Sequence, residues 1–204
     1  AATADTYGAN VFGVQEDDLV YSAAKIFFAY GLGNAMTFPM SVGATTLLFA
    51  GRPTPDGVID ILASQRPTLF CGVPTLFSAM LAQLEGGAKA DFALRLCVSA
   101  GEALPEATGV GWHAKTGVDI LDGVGSTEML HIFITNRFDD HKRACTGKPV
   151  TGYEAKVIGP EGQDLPAGEI GRLAVRGPTG CRYLGGHRQE EYVVDGWNIT
   201  GDAF

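Results

Sequence analysis

The sequence has no CxxC pair, no His/Cys cluster, no basic stripe and no uninterrupted long apolar run. Each absence removes a class of function. The four cysteines, Cys71, Cys97, Cys145 and Cys181, stand singly and far apart, which argues against a structural zinc site. Cys71 and Cys97 lie in apolar stretches and read as buried thiols. Against 23 Asp and Glu there are 15 Lys and Arg, for a net charge of −8. Lys142-Arg143 is an isolated cationic pair, assigned to a solvated loop, so no nucleic-acid partner is expected. The apolar stretch Phe27 to Val42 is broken by Gly31, Gly33 and Pro39 and is too short for a membrane span. No signal peptide is evident. The expectation is a cytoplasmic protein without membrane association. No internal repeat or low-complexity tract is present.

What remains is 204 residues with 46% hydrophobic and 19% charged content, ordinary for a chain that buries a sizeable core. Residues 1–17 read as a short helix and a polar turn leading into Asp18. Leu19 to Ala24 is a strand, Phe27 to Val42 a buried helix or a loop entering one, and Ala44 to Phe49 a strand. Thr54-Pro55-Asp56 supplies an N-cap, a first-turn proline and an acid, with Val58, Ile59 and Leu62 on one helix face. Thr68 to Gly72 is a strand. From Pro74, the residues Leu76, Phe77, Met80, Leu81 and Leu84 form a helical core stripe. Leu94 to Ser99 and Val118 to Leu121 are strands around a helix at Pro105 to Thr116. This alternation predicts an α/β fold with a doubly wound, mainly parallel sheet. After the charged run Arg137 to Arg143 the pattern changes to short strands and glycine turns. A boundary near residue 145 therefore separates an α/β subdomain (1–145) from a small β-rich subdomain (146–204).

The stretch Leu121 to His131, LDGVGSTEMLH, carries the chemistry. Glycines let a backbone approach a ligand, Ser126 and Thr127 can bond phosphate oxygens, and Glu128 is a hard oxygen ligand of the kind Mg²⁺ accepts. The other reading is a strand-to-helix turn capped by Ser126 or Thr127. Val98 to Pro105, VSAGEALP, also follows a strand. Two such turns after successive strands meet at the ligand-binding edge of an open α/β sheet.

SAGEALP, DGVGSTEMLH, TGKP (Thr146 to Pro149), GEIGRLAVRGP and Trp197 to Asp202 together resemble the core motifs of adenylate-forming enzymes, the AMP-dependent synthetase and ligase superfamily. AAKIFFAYGLGN (Ala23 to Asn34) and STEMLHIF are most similar to benzoate-CoA ligases. The resemblance implies a small β-rich subdomain of distorted-barrel type. It implies an ATP-dependent aromatic acid:CoA ligase, for benzoate or 2-aminobenzoate, that forms an aryl-adenylate and then an aryl-CoA thioester. ATP (giving AMP), Mg²⁺ and coenzyme A are the implied cofactor and co-substrates, and a homodimer is implied for the full-length protein. By the same resemblance Thr127 bonds the α-phosphate and Glu128 holds Mg²⁺. Gly101, Glu102, Ala103, Asp122 and Gly123 line the adenine site, and Asp202 accepts both ribose hydroxyls. Ala29, Tyr30, Ala100, Gly125, His131 and Ile132 build the acyl pocket. Such a pocket should take a bare ring or a small ortho substituent near His131, and 4-hydroxybenzoate less well.

The start without Met and the end at Phe204 give an expectation of a fragment. Neither a phosphate loop, nor an arginine-bearing hinge, nor the mobile C-terminal domain with its lysine lies within these residues, so this piece alone is expected to be inactive. Two other readings stand beside the ligase: an adenylation domain that loads a carrier protein, and a non-catalytic nucleotide-binding module.

Overall fold

Short apolar strands followed by helices build the first sheet of the computed structural model, which describes residues 1–88, 90–186 and 188–204. In chain order its elements are β1 (Leu19–Ser22), α1 (Ala29–Leu32), α2 (Phe38–Val42), β2 (Thr45–Leu47), α3 (Pro55–Gln65), β3 (Leu69–Gly72), α4 (Pro74–Glu85), β4 (Leu96–Ala100), α5 (Glu106–Thr116), β5 (Ile120–Gly125), β6 (Ile132–Thr135) and β7 (Lys148–Pro149). The strand order is β2-β1-β3-β4-β5-β6-β7. The first five strands are parallel, while β6 and β7 return antiparallel. Helix α3 starts as its sequence dictates, with the Thr54 hydroxyl accepting the Gly57 N–H at 3.4 Å and Pro55 in the first turn.

Side chains alternate across the strands. Val20, Leu69, Cys71, Leu96, Val98 and Leu121 face one core with the π-helical stretch Ala4–Phe12 and Phe38. Tyr21, Phe70, Cys97 and Ile120 face the other, against α3, α4 and Trp112 of α5. This period of two with both faces covered is the signature of a doubly wound sheet. The α4 stripe is buried as its spacing predicts, and each such side chain contributes about 1.5–3 kcal/mol when fully removed from water.

The second sheet comprises β8 (Glu154–Ile158), β9 (Arg172–Arg176), β10 (Val193–Val194) and β11 (Trp197–Ala203), with the one-turn helix α6 (Gln189–Tyr192) before β10. Its order is β10-β11-β9-β8, all antiparallel. Among the described residues this is a row with two edges rather than a closed barrel. Val150, Tyr153, Leu173 and Val175 join the same core cluster as Phe133 and Val98, so the two sheets share buried surface.

Three expectations are corrected. The break between sheets falls after Pro149 rather than near 145, because β7 still pairs with β6. No helix follows GVGSTE. A Cβ at Gly125 would lie 2.4 Å from the His131 carbonyl oxygen, so its glycine allows β6 to fold back closely on β5. Finally, Phe27 to Val42 is not wholly buried: Phe27, in the turn before α1, is 78% and Met40 of α2 71% exposed.

Candidate functional site

Parallel strands β4 and β5 run in register, Ser99 beside Asp122 and Ala100 beside Gly123, and deliver their following turns to one edge. At the end of β4, Gly101 has φ +100°, a conformation that side chains rarely adopt. Here a cavity of ≈ 730 Å³ opens. All six expected pocket residues, Ala29, Tyr30, Ala100, Gly125, His131 and Ile132, line it, together with Gly101, Ser126 and Thr127. They come from α1, the end of β4, the end of β5, the turn after it and the first residue of β6.

The polar groups of this cavity are not equivalent. The Tyr30 hydroxyl reaches two backbone carbonyls, Gly72 at 3.2 Å and Val98 at 3.1 Å, so its proton is committed to the scaffold. His131 is buried among Tyr7, Tyr30 and Phe38, with ring centroids 4.8, 5.6 and 4.7 Å away. Neither ring nitrogen has a partner. Burial pushes its pKa down to about 3, so the ring is neutral near pH 7. It offers one donor and one acceptor.

The turn from Ser126 to His131 separates this cavity from a second one of ≈ 360 Å³, lined by Ser126, Glu128, Tyr183, Tyr192, Arg188 and Asp202 among others. Ser126 borders both, and its hydroxyl accepts the Met129 N–H at 3.2 Å. The capping reading is therefore half right: a serine caps, but it caps a turn between antiparallel strands. Glu128 accepts the Tyr183 hydroxyl on Oε1 at 2.9 Å, and among the described residues no side chain bonds Oε2. Among the described residues no group of three His, Cys, Asp or Glu gathers as a metal cage. Mg²⁺ that shares its shell with nucleotide phosphates requires only one or two carboxylates, so Glu128 fits that role.

The expected adenine residues divide. Gly101 lines the large cavity, while Glu102 and Ala103 are exposed. Asp122 and Gly123 are buried in β5, and Asp122 faces Leu104 and α5 instead of the large cavity. The Asp122 Oδ2 accepts the Leu104 N–H at 3.3 Å and Oδ1 has no partner. Burial raises its pKa to about 6, and the Leu104 N–H offsets this only in part. Asp202, exposed near the end of β11, meets Glu128 across the second cavity.

Several lining residues escape sequence reasoning. Lys25 donates to the carbonyls of Phe49 and of Gly51 (2.6 Å) and borders the large cavity with Pro53 and Pro55. Thr75, Leu76 and Ala79 of α4 border it too. Only the i, i+4 spacing of Thr75 and Ala79 marked a second face on that helix.

The sequence matches the family model described as "AMP-binding enzyme" over residues 1–183. It is 51% identical over 205 residues to the benzoate–CoA ligase of Thauera aromatica, covering 99% of this chain and 39% of that one. It is 47% identical over 195 residues to the 4-hydroxybenzoate–CoA/benzoate–CoA ligase of Rhodopseudomonas palustris, covering 94% and 36%. The crystal structure of a benzoate CoA ligase from Burkholderia xenovorans LB400 superposes with a TM-score of 0.94 at 46% identity, over 99% of this chain and 42% of that one. The chain thus spans about two fifths of the length of the curated relatives it matches. With the family model matched over most of its length and its two sheets superposing on a solved relative, the chain belongs to the AMP-binding enzyme family.

Proposed function

We propose that the protein carrying these residues is an ATP-dependent aromatic acid:CoA ligase, with benzoate or a close analogue as the acid. A carboxylate is a poor acyl donor because oxide is a poor leaving group. Attack of its oxygen on the α-phosphate of ATP gives an aryl-adenylate and releases pyrophosphate. The thiol of coenzyme A then attacks the acyl carbon, the acyl–oxygen bond breaks, and AMP leaves. In this reading Thr127 donates to the α-phosphate and Asp202 accepts the ribose hydroxyls. Gly101, Glu102, Ala103, Asp122 and Gly123 surround the adenine. Glu128 holds Mg²⁺, which when bound neutralises phosphate charge. The protein's contribution is positioning and electrostatic complementarity.

The observation that carries the reading is the large cavity, where three separate segments bring small and apolar side chains around one neutral histidine beside Thr127. A flat apolar slot with few polar groups suits an aromatic ring. The test is pyrophosphate release by the protein expressed from its native reading frame, with benzoate, 2-aminobenzoate, 4-hydroxybenzoate and fatty acids. Preference for a medium- or long-chain fatty acid overturns the aryl assignment. Glu128→Gln should raise the Mg²⁺ requirement and depress turnover. The name of the R. palustris relative couples 4-hydroxybenzoate with benzoate, so the para position gives the sharpest test of the pocket. An unpaired polar group costs about 1–3 kcal/mol, which predicts at least about tenfold weaker use of 4-hydroxybenzoate. Equal kcat/KM for the two acids would discard the pocket assignment and leave the ligase reading standing.

A further inference from the structure

The turn that carries Thr127 and Glu128 is strained and is held from outside its own sheet. Leu130 takes φ +68°, uncommon for a bulky residue and found where the surroundings enforce it. Within the turn the internal bonds are Met129 N–H to Ser126 Oγ and Leu130 N–H to the Thr127 carbonyl at 3.1 Å. Two further bonds arrive from the segment after β9. Thr179 Oγ donates to the Met129 carbonyl at 2.8 Å. Because its single proton is used there, the Tyr153 hydroxyl, 2.7 Å from the same oxygen, is the donor in that second contact. The Tyr183 hydroxyl donates to Glu128 Oε1. Tyr183 is itself fixed by its N–H to Gln189 Oε1 at 2.9 Å and by edge contact with Tyr192 at 5.6 Å.

We propose that Thr179 and Tyr183 are positioning residues for the reaction: they clamp the strained turn and orient the Glu128 carboxylate so that its other oxygen meets the metal-bound nucleotide. The proposal rests on the reading of Glu128 as the metal ligand. Strain in a loop persists only while its surroundings over-determine it, and partners of a metal-ligating carboxylate fix its orientation. Thr179 lies 50 residues from the carbonyl it holds and Tyr183 lies 55 from Glu128. The clamp therefore couples the second sheet's region to a turn of the first.

The test compares Tyr183→Phe, Thr179→Val and the conservative Thr179→Ser in the protein expressed from its native reading frame. Three readouts are taken: Mn²⁺·ATP binding by electron paramagnetic resonance, the Mg²⁺ concentration for half-maximal pyrophosphate release, and amide hydrogen exchange at residues 127–131. Tyr183→Phe should weaken Mn²⁺·ATP binding and raise the Mg²⁺ requirement about tenfold, with KM for benzoate within about twofold. Thr179→Val should speed exchange at 129–131 about tenfold, and Thr179→Ser should restore it. Unchanged metal–nucleotide affinity in Tyr183→Phe overturns the orienting role. If the unmutated protein binds no Mn²⁺·ATP, the metal reading of Glu128 fails on its own. Exchange then still decides the clamp, which is overturned if neither variant changes the rate at 127–131.

Discussion

Two buried aspartates at opposite edges of the same parallel sheet differ in almost everything except residue type. Asp18 is 4% and Asp122 7% exposed. Asp18 precedes β1, where Thr68 and Arg95 precede β3 and β4. Its carboxylate accepts Gln15 N–H at 2.7 Å, Thr68 Oγ at 2.7 Å and Arg95 at 2.9 and 2.5 Å. Burial alone would raise its pKa, but these bonds outweigh burial and hold it below the usual carboxylate range. Asp122 has one backbone donor on Oδ2 and nothing on Oδ1, and its pKa rises to about 6. Nearby Ser99 Oγ and both His131 nitrogens also lack partners. The N-terminal edge of the sheet is closed by its own side chains, whereas polar groups toward the C-terminal edge are buried and unanswered. Such rule-breaking gathers where a ligand completes the set.

The largest expected effect sharpens this contrast at the closed end. Arg95→Met leaves Asp18 buried without its cation and should cost about 3–5 kcal/mol in urea unfolding, with nucleotide affinity of the folded protein unchanged. A loss below about 1 kcal/mol would mean Asp18 relaxes into water, and the contrast would collapse.

Asp122→Asn should do the reverse. Near pH 7 the variant should be no less stable than the parent, while nucleotide affinity falls about tenfold or more, the worth of a hydrogen bond to a charged group. The pH dependence has a definite sign. A carboxyl raised in the folded state from 3.8 to about 6 favours folding when protonated, so that stabilisation is lost as pH rises between those values. The advantage of Asp122→Asn should therefore grow through this window and level off above it. A flat difference would show that Asp122 titrates normally.

A third effect, graded with pH, concerns His131. Its folded pKa is depressed from 6.5 to about 3, so the unfolded chain binds the extra proton. Its stabilising contribution should fall by about 1.4 kcal/mol per pH unit as pH drops through that window. Subtracting a His131→Gln denaturation series isolates this slope. No difference between the two series would place the imidazole in contact with water.

Local chemistry made much of the fold legible. The Thr54-Pro55-Asp56 start of α3, the Leu76 to Leu84 stripe of α4 and the buried Cys71 and Cys97 each follow from spacing within one or two turns or from an apolar run. The antiparallel return of β6 did not, because it depends on Gly125 admitting the His131 carbonyl, a contact between segments whose pairing no local pattern states. In the candidate site, the motif residues were readable as a set, but the destination of the Tyr30 hydroxyl was not. It is consumed by the carbonyls of Gly72 and Val98, 42 and 68 residues away.

The sequence by itself determined the alternation of strands and helices, the family resemblance and the identity of the chemically able side chains. These depend on periodicity, turn residues and ordered motifs, all written along the chain. Only the tertiary structure decided which of those side chains have their hydrogen bonds met and which wait for a partner. Lys25 at the cavity wall, Tyr183 on Glu128 and the solitary His131 acquire their roles from neighbours 24 to 55 residues distant or from burial among four segments. Solvation and pairing are properties of the packed environment, and the same aspartate reads identically in sequence at either end of the sheet.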